Sequence, residues 1–210
     1  MEDLKANNLE CFTIGHSNHE AGHFVDLLKS HKINCLVDVR SSPYSKFTPQ
    51  FNKENLDTEL KKEKVLYVYL GNKLGGRYLD PELLYPGGVV NYNKVMQQEE
   101  FCAGINNVIG NIKKGLKIAL MCAEKNPLDC HRFLLVARAL SNKGVRVKHI
   151  LENGEVVLNE DLEKQLLQKY KRGFDQLSFF QENLSREKTL EEAYQRRNQE
   201  VGFAAERVMD

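Results

Sequence analysis

Short apolar runs recur along this chain, separated by segments whose apolar residues return every three or four positions. Cys11 to Ile14, Ile33 to Val39, Val65 to Leu70, Leu116 to Cys122 and Val145 to Ile150 are such runs, and none holds Gly or Pro. Runs of this length predict buried strands. Between them, Phe24, Leu27 and Leu28 mark a helix over about Glu20 to His31, and Leu56 and Leu60 a second that starts at Asn52. A third is expected from Tyr92 to Lys113, and Gly144 is placed to stop the helix before the last strand. From Asn159 onward the chain is helical and heavily charged. Leu162, Leu166 and Leu167 suggest docking there, while Ser185 to Asp210 reads as an exposed helix or arm.

Alternating strands and helices predict a Rossmann-like α/β fold, a mostly parallel sheet with helices on both faces and a helical C-terminal extension. The expected boundaries are a tail over 1–10, the α/β domain over 11–158 and the extension over 159–210. No internal repeat is visible.

The run Leu116 to Cys122 leads directly into chemistry. After it come Ala123 to Asp129, then Cys130-His131-Arg132 and an apolar helix through Phe133, Leu134, Val136, Ala137 and Leu140. Asn126-Pro127 predicts the helix start, Asn as N-cap and Pro at the first position. Cys130, His131 and Arg132 are then expected on its first turn. In a parallel sheet the C-terminal strand ends share one edge, where open α/β sheets bind ligands. His16 and Ser17, Asp38, Arg40 and Ser41, and Cys122 and Glu124 would meet there. The loop Gly71 to Gly88 is long for a connection and carries Gly75-Gly76-Arg77; such loops are usually functional or mobile.

Thr13-Ile14-Gly15-His16-Ser17, Leu36 to Pro43, Leu74-Gly75-Gly76-Arg77 and Cys122-Ala123-Glu124 with Cys130-His131-Arg132 resemble the DUF488 family, over about residues 11 to 151. The resemblance implies an α/β fold and a site but supplies no reaction, because that family is a domain of unknown function.

Composition narrows the field. A hydrophobic fraction of 41% over 210 residues suits one sizeable core, and the net charge of +1 gives no global case for nucleic-acid binding. No apolar run reaches a membrane span, and the polar start Met1 to Lys5 does not look like a secretory signal. Five cysteines, several in expected buried strands, suit reduced thiols in a cytoplasmic protein. There is no Walker sequence and no G-x-G-x-x-G. Nine residues separate Cys122 from Arg132, against five in the cysteine phosphatase loop.

Each candidate carries a functional and a plain reading. A first-turn Cys130 would favour a reactive thiolate, or it could pack under the helix, and Cys122 could be a small core residue. Asp38 and Arg40 form either a loop-ordering pair or part of an anion clamp. His16 either moves protons or caps the next helix. Arg40, Arg77 and Arg132 near a helix start suit phosphate or carboxylate. The remaining histidines read as surface or packing residues.

The leading expectation is an enzyme on a phosphate-bearing substrate, a nucleotide or nucleic acid. Its catalytic groups would come from Cys122, Cys130, His131, His16, Asp38 and Glu124, with Arg40, Arg77, Arg132, Ser17 and Ser41 binding substrate. The alternative is a non-catalytic nucleic-acid- or anion-binding module using the same arginines. No cofactor is predicted; zinc on Cys122, Cys130, His131 and His16 is compatible by ligand type, though not by the spacing of a finger, knuckle or ribbon.

Overall fold

The computed structural model of the chain describes residues 9–178 and 186–205. Six strands form one sheet: β1 (Glu10–Gly15), β2 (Cys35–Asp38), β3 (Leu66–Tyr69), β4 (Ile118–Cys122), β5 (Arg146–Ile150) and β6 (Val156–Leu158). Their order is β3-β2-β4-β1-β5-β6, and all neighbours are parallel except β5 and β6. The expected mixed α/β architecture is therefore present. Five strands lie within one or two residues of the apolar runs. The sixth, the antiparallel β6, has no counterpart in the expected set.

Side chains alternate across the sheet, as the period of two requires. Phe12, Ile14, Leu36, Ala119 and Met121 pack on one face with α1 (Ala21–Ser30) and α2 (Lys53–Lys62). Cys11, Val37, Ile118, Leu120 and Cys122 face the other way, in the larger core. That side holds the one-turn helices α3 (Gly71–Leu74) and α4 (Tyr92–Val95), then α5 (Glu99–Lys113) and the helical segment after residue 131. The C-terminal helices α7 (Asn159–Ser178) and α8 (Arg186–Val201) complete it. Cys122 thus points into the thicker half of the molecule. All five cysteines are free thiols.

Three expectations need correction. The helix foreseen from Tyr92 to Lys113 is two helices. Asn91 caps the first, its Oδ1 accepting from Asn93 and Lys94, and Gln98 turns extended before Glu99 and Glu100 start the second. Two carboxylates suit a helix N-terminus better than its middle. Second, the segment foreseen as an exposed helix or arm contains α8, which buries Ala193, Tyr194 and Asn198. The Asn198 amide accepts from the Tyr92 N–H at 2.9 Å and donates to the Val90 carbonyl at 2.9 Å, pinning α8 to the loop before α4. Third, the tail expected over 1–10 is outside the described residues as far as Asn8, but Glu10 already belongs to β1. Among the described residues no helix is long and apolar enough to cross a membrane.

A polar link crosses the larger core. His149 accepts from the Thr13 hydroxyl at 2.8 Å and donates to Asn159 Oδ1 at 3.1 Å, joining β1, β5 and the start of α7. Burial holds its pKa down at about 3, against 6.5 in the open chain. The unfolded chain therefore binds the extra proton, so this ring's contribution is fully present above pH 6.5 and is lost as pH falls toward 3. At about 1.4 kcal/mol per unit the loss reaches at most about 5 kcal/mol. Urea unfolding between pH 4 and 7 should show His149→Gln with a flatter acid limb than the native chain. Equal slopes would contradict this account.

Candidate functional site

The strand ends are level. Gly15 pairs with Cys122 and Asp38 with Met121, and the His16 amide donates to the Cys122 carbonyl at 2.9 Å. After Cys122 the chain makes the turn that Asn126-Pro127 encodes, with Asn126 Oδ1 accepting from the Leu128 amide at 3.1 Å. That turn is a single 3-10 turn, Pro127–Asp129, and it ends at Cys130, whose backbone is extended (φ −130°, ψ 141°). The helix restarts at His131. Its segment Arg132–Ala137 is wound as a π-helix before Arg138–Ser141 (α6) returns to α geometry. Cys130 therefore precedes the first helical turn instead of lying on it. Its Sγ accepts from the Arg132 amide at 3.4 Å, the position a capping oxygen would take.

This break brings four groups together. Glu124 Oε2 accepts from Cys122 Sγ at 2.8 Å and from Cys130 Sγ at 2.9 Å. His131 Nδ1 is 3.4 Å from the first sulfur and 3.9 Å from the second. His131 Nε2 is 3.0 Å from the Val39 carbonyl, which can only accept, so Nε2 carries a proton and the neutral ring keeps its lone pair on Nδ1. Both thiols are buried. Burial opposes ionisation of Cys130, but the Cys122 hydrogen bond and the Arg132 charge outweigh it and lower its pKa. Burial and the neighbouring sulfur push Cys122 up. Burial also works against the Glu124 carboxylate, yet the two thiol donors bring it down to about 2.

A second network lies beneath β2. Asp38 takes the Arg40 guanidinium through Nε at 3.0 Å and Nη2 at 2.6 Å, and it accepts from the Tyr67 hydroxyl at 2.7 Å. Arg40 Nη2 also donates to the Phe51 carbonyl, and Nη1 donates to His16 Nε2 at 3.1 Å. Four of the five guanidinium hydrogens are thereby used, leaving one on Nη1. His16 donates from Nδ1 to the Ser17 carbonyl and stacks on Phe51, and burial beside Arg40 lowers its pKa to about 4. A neutral ring held this way positions Arg40.

A cavity of about 210 Å³ opens above these groups. Cys122, Glu124 and His131 line it, as do Arg40, Ser41 and Arg77. Cys130 lies behind Cys122 and Glu124. His16, Ser17, Asp38 and Arg132 do not reach the lining. Arg132 is turned inward: Nη1 donates to the Glu124 carbonyl and Nη2 to the Lys125 carbonyl at 2.9 Å, so it holds the Cys122–Cys130 loop and not a ligand. Arg77 is exposed and stacks on Phe203 at 5.4 Å, and among the described residues no carboxylate pairs with it. Its amide donates to Ser41 Oγ at 3.1 Å, tying the Gly75-Gly76 turn to the end of β2.

The profile of the family described as Domain of unknown function DUF488 matches residues 20–139, more than half of the chain. The chain belongs to the DUF488 family. No curated protein and no solved structure matches it. The matched segment of this DUF488 protein holds the four clustered residues, Arg40 and Arg77. β1 and everything after Ala139 lie outside the match.

Part of the cavity comes from there. Val201 and Phe203, at and beyond the end of α8, line it together with Tyr92. The Phe203 carbonyl accepts from the Val90 amide, and the Ala205 amide donates to the Gly88 carbonyl, so the strap is stitched to the Gly71 to Gly88 loop. Arg197 pairs with Asp129, also in the lining. Nothing local signals Phe203, because its role depends on contacts more than a hundred residues away in sequence.

Proposed function

We propose that this DUF488 protein is an enzyme acting on a small phosphate-bearing substrate, such as a nucleotide, in the cavity above Cys122. One observation carries the reading: the same 210 Å³ space is lined by Arg77, Ser41 and Arg40 and by Cys122, Glu124 and His131. Guanidinium donors suit phosphate oxygens in fixed geometry. Holding an anion requires only donors. Two thiols and a carboxylate beside it would raise the cost of binding, which favours a chemical role for them over a passive one. Arg77 binds the phosphate, Arg40 orients it from below, and the Cys122–Glu124–Cys130–His131 group is the reacting centre. The positioning set is Asp38 and His16 acting through Arg40, and Arg132 acting through the Glu124 main chain.

The test uses inorganic phosphate, AMP and ATP by calorimetry, with product analysis on the nucleotides. Arg77→Ala should weaken phosphate binding roughly 10–100-fold, the loss of one charged donor pair. Glu124→Gln should keep the binding and lose the turnover. No binding of any of the three, or equal binding by Arg77→Ala, would sink the reading. Binding that depends on Arg77 without turnover of any nucleotide would leave the non-catalytic anion module in its place.

A further inference from the structure

We infer that Cys122, Cys130 and His131 bind a zinc ion, with Glu124 as a fourth, displaceable ligand at the mouth of the cavity. This deepens the proposed function and rests on it for the ion's role, though not for its binding.

The ligand atoms of the four residues all lie within 4.8 Å of one another. Zinc bonds of about 2.3 Å to sulfur and about 2.0–2.1 Å to nitrogen or oxygen require tetrahedral edges of about 3.6–3.8 Å. The two sulfur–nitrogen distances, 3.4 and 3.9 Å, straddle that value. The two sulfur–oxygen distances, 2.8 and 2.9 Å, are shorter because one carboxylate oxygen serves both thiols. Glu124 is the exposed member of the set, so its side chain can open by the roughly 0.7–0.8 Å that the tetrahedral edge requires.

The surroundings are those of a ligand set. His131 donates Nε2–H to the Val39 carbonyl, which directs the Nδ1 lone pair at both sulfurs, the outer-shell arrangement that orients metal-bound imidazoles. The Arg132 amide donates to Cys130 Sγ, as it would to a bound thiolate. A Cβ on Gly76 would come within 2.8 Å of the His131 side chain, so the glycine backbone lies against the imidazole and limits its swing. Two thiolates, a carboxylate and a divalent ion sum to one negative charge, beside the Arg132 and Arg40 guanidinia. Mixed sulfur, nitrogen and oxygen donors in a tetrahedral frame favour zinc, whereas copper(I) would prefer soft ligands throughout.

The ion also answers an electrostatic difficulty. Without it, a phosphate-bearing substrate faces the Glu124 carboxylate beside two thiols. With it, a divalent charge offsets those of the donors, and displacement of Glu124 opens a coordination position on the ion toward the cavity.

Full-length protein from zinc-supplemented medium, purified without chelator, should carry one zinc per chain by elemental analysis. The stripped protein titrated with cobalt(II) should show a sulfur-to-cobalt charge-transfer band and intense tetrahedral visible bands. Cys122→Ser and Cys130→Ser should each lose the metal. Glu124→Gln should keep the charge-transfer band with at least tenfold weaker affinity. Cys102→Ser, outside the cluster, should match the native chain and controls for folding, checked by circular dichroism. No metal and no charge-transfer band in folded native protein, or metal kept by both cluster cysteine variants, overturns the site. Zinc bound while phosphate affinity is unchanged by stripping keeps the site and overturns its link to the anion.

Discussion

Replacing Asp38 by alanine should cost the fold about 3–5 kcal/mol, the usual penalty for leaving a buried charge without its partner. Asp38 is fully buried and Arg40 is 6% exposed. The carboxylate accepts from the Arg40 amide, Nε and Nη2 and from Tyr67, so one substitution orphans several donors at once. Most domains have only about 5–15 kcal/mol in total, so the urea midpoint should fall by a large fraction. The double variant Asp38→Leu with Arg40→Met should lose less than Asp38→Ala alone, because no unpaired charge remains. A midpoint for Asp38→Ala within error of the native chain would show that the pair is dispensable.

Gly15→Ala should be the second large effect, and it should strike the site harder than the fold. A Cβ at this position would fall inside the van der Waals radius of the Glu124 carbonyl and within 3.1 Å of Arg132 Nη1. The strand cannot move, since Gly15 is paired with Cys122 in mid-sheet. The loop after Cys122 must then shift, and Glu124 with it. Overpacking of this kind costs about 1–3 kcal/mol. Phosphate binding should fall more than tenfold. Gly22→Ala is the control, because its Cβ meets nothing within 4 Å inside α1. It should raise stability by about 0.5–1 kcal/mol. Native phosphate affinity in folded Gly15→Ala would refute the close contact.

The sheet was legible because buried parallel strands are nearly continuous apolar runs, and five of them stand in this sequence. β6 escaped because it is three residues long, yet a signal was present. Asn153-Gly154 separates it from β5, Gly154 has φ +83°, and the Leu151 amide closes the turn on the Glu155 carbonyl. An Asn-Gly pair between apolar runs is the strongest short-range sign of a hairpin. The convergence of Cys122, Glu124, Cys130 and His131 was legible from topology, since three lie at a strand end or helix start. The orientation of Arg132 was not: whether an arginine beside a helix start faces a ligand or main-chain carbonyls depends on where the loop's acceptors fall. The helix break at Cys130 was hidden for a similar reason. Asn126-Pro127 is a good start signal, and nothing in the residues says that it serves one turn only.

The wide winding over Arg132–Ala137 acts as a one-residue insertion absorbed without a bulging loop. Each residue turns an α-helix by about 100°. Were the segment to relax to ordinary winding with every residue kept, everything before it would rotate by about that angle relative to α6. Cys130 and His131 would then sweep away from Cys122 while Leu134 and Leu140 kept their apolar character. The wide winding, and not only the residues it carries, therefore sets where Cys130 and His131 stand. The spacing between Cys122 and Arg138 is itself part of the site.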